Sequence, residues 1–155
     1  MSSSAPIEAF YGISSPSAYF GAQRLYAIAD RGNMPLVLRP IRVVEKNGGI
    51  PLRTRPEPRQ DYHAVELGRW SQWLAIPLNL EPRFYPCRTI EIAAGSVIAA
   101  QRAGLNARAF SFAVQRALWV EDKDIANTET LETIALATIG EAGPVLVNEP
   151  LTAGD

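Results

Sequence analysis

A chain of 155 residues with 47% hydrophobic and 20% charged residues can bury a core of its own, a balance that excludes a disordered segment. Its formal net charge of −1 leaves no overall basic field, which excludes general attraction to nucleic acid or to an anionic membrane. One cysteine, Cys87, excludes an internal disulfide and a Cys-x-x-Cys pair, and one histidine, His63, excludes a multi-histidine metal site.

Taken in chain order, MSSSAPIEAF lacks the basic-then-apolar pattern of a secretory leader, and no later run approaches the roughly 20 apolar residues a membrane helix needs. With a lone cysteine as well, the expected compartment is the cytoplasm. Ile7 to Ile13 is a short apolar run that predicts a buried strand. Ser14 or Ser15 then caps a helix whose first turn accepts Pro16, because a first-turn N–H has no intrahelical partner to lose. Tyr19, Ala22, Tyr26 and Ala29 recur at helical spacing, Leu25 and Ile28 widen the stripe, and Gly32 is expected to end it in the left-handed conformation. MPLVLRPI (Met34 to Ile41) predicts a second strand, and short connections make the two strands parallel with a right-handed crossover.

Glycines and prolines then break EKNGGIPLRTRPEPR (Glu45 to Arg59) into a loop. Its Arg53, Arg55 and Arg59 read equally as a solvated loop or as an anion contact. From Gln60 the pattern turns helical, through Tyr62, Val65 and Arg69 on one side and Leu67, Trp70 and Leu74 on the other. Three prolines make AIPLNLEPRFYP irregular. Helices are predicted over Arg88 to Gly104, over Asn106 to Asp122, and from a Thr128 cap to Gly140. Residues 141–155 offer a four-residue apolar run and a tail. The organisation is one domain: a βαβ unit over 7–41, a loop over 42–59, a helical insertion over 60–140 and a tail over 141–155.

Strand, Ser15-Pro16-Ser17-Ala18 turn, helix and parallel strand form the layout of a thioredoxin-like N-terminal half, with Ser-Pro-x-x where redox members carry Cys-x-x-Cys. ISSPSAYFGAQRL, LRPI, PRQDYHAVELGRWSQWLAIPLNLEP and FAVQRALWVEDKDIANTETL, in that order, resemble the 2-hydroxychromene-2-carboxylate isomerase family. Its members are related to kappa-class glutathione transferases and DsbA-like thioredoxin folds, and the resemblance runs from about Ile7 to about Gly140. It implies an α/β fold: a thioredoxin-like βαβ half carrying an all-helical insertion. It also implies glutathione as cofactor, a small aromatic substrate and a glutathione-dependent cis–trans isomerase. A kappa-type transferase, or a non-catalytic binding or dimerisation module, is the alternative.

Residue by residue, the family serine that donates a hydrogen bond to the glutathione sulfur falls on Ser15. The family's asparagine and basic residue fall on Asn47 and Arg59, with Arg59 expected to hold a carboxylate. The family's second half, a ββα unit with a cis-proline loop, has no counterpart in GPVLVNEP. A two-stranded sheet leaves strand edges unpaired, so a homodimer is expected, with Trp-bearing helices at its contact.

Each feature also has a plainer reading. Ser14 and Ser15 serve as helix caps whatever else they do. His63 reads as a surface or half-buried residue, and Trp70, Trp73 and Trp119 as core or interface anchors. Cys87, with only Arg88 fixed beside it, reads as a bystander rather than a nucleophile.

Overall fold

The structure is a computed structural model, and it describes residues 5–42 and 48–148. Strand β1 (Ile7–Tyr11), helix α1 (Pro16–Arg31) and strand β2 (Leu36–Pro40) form the βαβ unit. The two strands pair in parallel, from Ile7 opposite Leu36 to Tyr11 opposite Pro40. Ile7, Ala9 and Tyr11 face inward while Glu8 and Phe10 face out, the period-2 alternation of a half-buried strand.

Ser15 caps α1 and Pro16 opens it. At the other end the left-handed residue is Asn33 (φ 48°), not Gly32, whose φ is −80°. Asparagine tolerates that region because its short amide bonds locally. Gly32 is needed for room instead: a Cβ there would lie 3.1 Å from Met34 Cγ.

A single 3₁₀ turn (Leu52–Thr54) precedes α2 (Glu57–Leu74), which starts three residues before Gln60. Prolines 56 and 58 had been expected to bar helix there. They occupy the cap and the first turn, where a missing N–H costs nothing. Only Leu67 of α2 is buried; Trp70 and Trp73 are 44% and 74% exposed, so neither belongs to the core.

After an irregular stretch come α3 (Glu91–Arg102), α4 (Ala107–Trp119) and α5 (Thr128–Ile139). Asn106 Oδ1 caps α4 through Ala109 N at 3.1 Å. Asn127, one residue before the expected Thr128, caps α5 through Thr130 N at 2.9 Å. The stretch read as a tail contains a further helix, α6 (Gly143–Asn148), laid against α5. A Cβ on Gly143 would sit 2.7 Å from the Ala135 carbonyl carbon, so this contact depends on the missing side chain.

The core lies where α1, α3, α4 and β2 meet, around Tyr19, Leu38, Val97, Phe110, Val114 and Leu118. Among the described residues the sheet has two strands. No described helix is long and apolar enough to cross a membrane.

Candidate functional site at the head of helix α1

The chain leaves β1 at Gly12, whose carbonyl accepts from Ser15 N at 3.0 Å, while the fully buried Ile13 pins the turn to the core. Ser15 keeps extended backbone angles (φ −78°, ψ 126°), and its Oγ accepts from Ala18 N at 3.2 Å. That bond uses the oxygen as an acceptor and leaves the hydroxyl hydrogen for donation outward. Pro16 has no N–H, so Ser17 N–H and the Ser15 hydroxyl are the donors that remain at this helix end. Both lie at the positive end of the α1 dipole, which favours an anion over its neutral form.

The wall beside the turn comes from residues far away in sequence. Tyr19 Oη donates to the Pro77 carbonyl at 3.1 Å, and Asn79 N donates to the Trp119 carbonyl at 2.6 Å. These bonds tie the irregular stretch after α2 to α1 and to the end of α4. The same stretch carries the half-buried Cys87 to the neighbourhood of Ser14. Burial, and then the nearby Asp124 carboxylate, push the thiol up to about 11, against weaker opposing pulls from the backbone and from Ser14. At neutral pH it is a protonated, poorly nucleophilic thiol. Arg88 Nη2 bonds Asp124 Oδ2 at 3.3 Å and the Ala126 carbonyl at 3.4 Å, while the Tyr85 ring lies 4.9 Å from that of the buried Trp119. Tyr11 Oη and Ser111 Oγ are 2.6 Å apart, and burial pushes the Tyr11 and Tyr26 phenols upward.

Of the three residues singled out from the sequence, Ser15 stands at the head of α1. Arg59 lies exposed in the first turn of α2, and no hydrogen bond or ion pair among the described residues joins it to Ser15. Asn47 falls outside the described residues. Ser14, Cys87, Tyr85 and Asp124 were not read as parts of one place. The sequence held one faint signal of it, a cysteine in a proline-broken segment, with no local pattern to say where that segment folds.

The DsbA-like thioredoxin domain profile matches residues 6–141 of this chain. The chain belongs to the DsbA-like thioredoxin domain family. Among solved structures, a 2-hydroxychromene-2-carboxylate isomerase is similar at 22% identity and a TM-score of 0.66, over 94% of this chain and 72% of the isomerase. The cytosolic disulfide reductase DsbM from Pseudomonas aeruginosa is similar at 20% identity and a TM-score of 0.64, over 93% of this chain and 69% of the reductase. DsbM with GSH gives 19% and 0.65, over 93% and 70%. At these identities the likeness speaks for the fold. No curated protein matches the chain. Against this DsbA-like frame the turn that could carry a dithiol carries Ser15-Pro16-Ser17-Ala18, and the chain's one thiol sits beside it, protonated.

Proposed function

We propose that this DsbA-like protein is a glutathione-dependent cis–trans isomerase of the 2-hydroxychromene-2-carboxylate type, acting on a small conjugated aromatic substrate in the cytoplasm. The observation that carries this reading is Ser15, whose hydroxyl caps the head of α1 in the neighbourhood of a cysteine held protonated. A nucleophilic sulfur used here must therefore arrive with a bound molecule, and a hydroxyl donor at a helix N-terminus favours its thiolate. Glutathione supplies such a thiol. When bound it would supply a nucleophilic thiolate for reversible addition to a conjugated double bond, with no net oxidation, and the Ser15 hydroxyl and the positive end of α1 would hold the sulfur in that charged form. Arg59 would hold a carboxylate of glutathione or substrate in bidentate fashion, and Asn47 would be a further glutathione-binding residue.

Calorimetry with glutathione, ultraviolet absorbance of the bound thiolate and turnover of a hydroxychromene carboxylate test the reading together. Binding, a thiolate band and isomerisation are expected; a protein that neither binds glutathione nor shows the band sinks it. A transferase would keep the thioether product instead of releasing the thiolate.

A further inference from the structure

Helix α2 turns its aromatic surface away from the core. Leu67 is its one buried residue, while Tyr62 is 53% exposed, Val65 49%, Trp70 44% and Trp73 74%. Tyr62, Glu66, Arg69 and Trp73 follow one another at spacings of four, three and four residues, the rhythm of a heptad seam, and fall within an arc of about 60° on the helix. Val65 and Trp70 flank that arc, one on each side, by about 40°. The Trp70 and Trp73 rings meet edge-on with centroids 5.3 Å apart, so one end of the stripe is an ordered aromatic pair. Glu66 and Arg69, in its middle, enter no ion pair or side-chain hydrogen bond among the described residues. A single exposed ring is ordinary on a protein surface, but three along about three turns of one helix mark an interaction surface.

We infer that α2 packs antiparallel against α2 of a second copy of the chain, about a two-fold axis midway between Leu67 and Gly68. That axis sets Tyr62 level with the partner's Trp73 and Glu66 level with the partner's Arg69, and symmetry repeats each layer once. Charge selects the sense of the pairing. Two copies of α2 running the same way in register would press Glu66 against the partner's Glu66 and Arg69 against the partner's Arg69. Running in opposite senses, they form two ion pairs at the centre of the seam, closed at both ends by a tyrosine on a tryptophan. The stripe is thus its own complement in both charge and shape, which is what a two-fold contact requires and what singles out a second copy as the occupant.

The area fits a reversible dimer. A whole aromatic side chain presents about 150–250 Å², so at these exposures the three rings offer roughly 350 Å² per copy. Val65 and the stems of Glu66 and Arg69 bring the contact to about 600 Å² per copy, the lower bound of specific interfaces. Trp, Tyr and Arg are also the side chains on which binding energy concentrates. The cavity of about 420 Å³ beside β1 has no α2 residue in its lining, so the seam leaves the edge of the sheet untouched. It is equally independent of the thiol chemistry at the head of α1.

Sedimentation velocity on the 155-residue chain tests the seam, with circular dichroism to check that each variant is folded. The wild type is expected to be a concentration-dependent dimer. Trp73→Ser removes an anchor from both ends and should raise the dimer dissociation constant by about a hundredfold. Leu136→Ser, at a position 52% exposed on α5, should leave it unchanged. Glu66→Arg and Arg69→Glu each put like charges into both central layers, so each alone should be monomeric where the wild type dimerises. An equimolar mixture of the two should dimerise, because the acidic pair of one copy then meets the basic pair of the other. The mixing result decides the question even where Trp73→Ser fails to fold. A wild type that is monomeric at all concentrations overturns the inference. So does a dimer that a folded Trp73→Ser leaves intact, and so does a mixture of the two charge variants that stays monomeric.

Discussion

Replacing Ser15 separates its two tasks, because alanine and glycine remove the same hydroxyl at different structural cost. Ser15 Oγ accepts one of the orphan N–H groups of a 16-residue helix, at 3.2 Å. Ser15→Ala should therefore lose a cap worth about 1 kcal/mol, which for a domain of this size lowers Tm by about 3 °C. Ser15→Gly should lose only a few tenths of a kcal/mol, since glycine leaves the first N–H groups open to water. Toward a bound thiol the two should be equal, for each removes the hydroxyl donor. A hydrogen bond to a charged acceptor is worth about 1.5–3 kcal/mol, so the thiol of bound glutathione should titrate about one to two pH units higher in both. Thiolate absorbance followed against pH at saturating glutathione measures the titration, and urea unfolding measures the cap. A thiolate midpoint unchanged in Ser15→Gly would refute the role given to Ser15, and equal stability of all three proteins would refute the cap.

Three further outcomes rest on the same structure. Gln115 is 1% exposed, and among the described residues neither Oε1 nor Nε2 has a partner, so Gln115→Leu should raise stability by about 1 kcal/mol in urea unfolding; destabilisation would show that the amide is satisfied in solution. Gln101→Leu should cost about 2 kcal/mol, because it leaves the N–H and C=O of the buried Leu38 without partners, and Gln101→Glu should restore only the bond from Leu38 N. The Cys87 thiol is pushed up from 9.0 to about 11, so the folded state retains a proton that the unfolded chain gives up first. Its contribution is complete below pH 9.0 and is lost as pH rises to about 11. The gap in urea midpoint between the wild type and Cys87→Ser should therefore change across that window and stay constant below it; a gap independent of pH would contradict the burial.

Much of the local structure was legible because its causes are local. The apolar run from Ile7, which the structure ends at Tyr11, the Ser15-Pro16 start and the Asn106 cap each act over a short window. The misplaced boundaries have local causes too. Pro56 and Pro58 read as breakers and serve as a helix start, and the left-handed residue after α1 is Asn33 instead of Gly32. Helix α6 was missed because its burial depends on Gly143 meeting Ala135, a contact with no trace in six residues of composition. Trp70 and Trp73 were read as core or interface anchors, and helix α2 turns both toward solvent, which removes them from the core.

By itself the sequence determined the βαβ order, the serine at the head of the first helix and the absence of a second cysteine, since these follow from residue type and spacing. Tertiary structure alone decided that Cys87 comes near Ser14 and is kept protonated by burial, that Gln101 bonds the Leu38 main chain, and that β1 borders a cavity. The pairs involved are 73 and 63 residues apart, and what joins them is the packing of the helices, which no short window of sequence encodes.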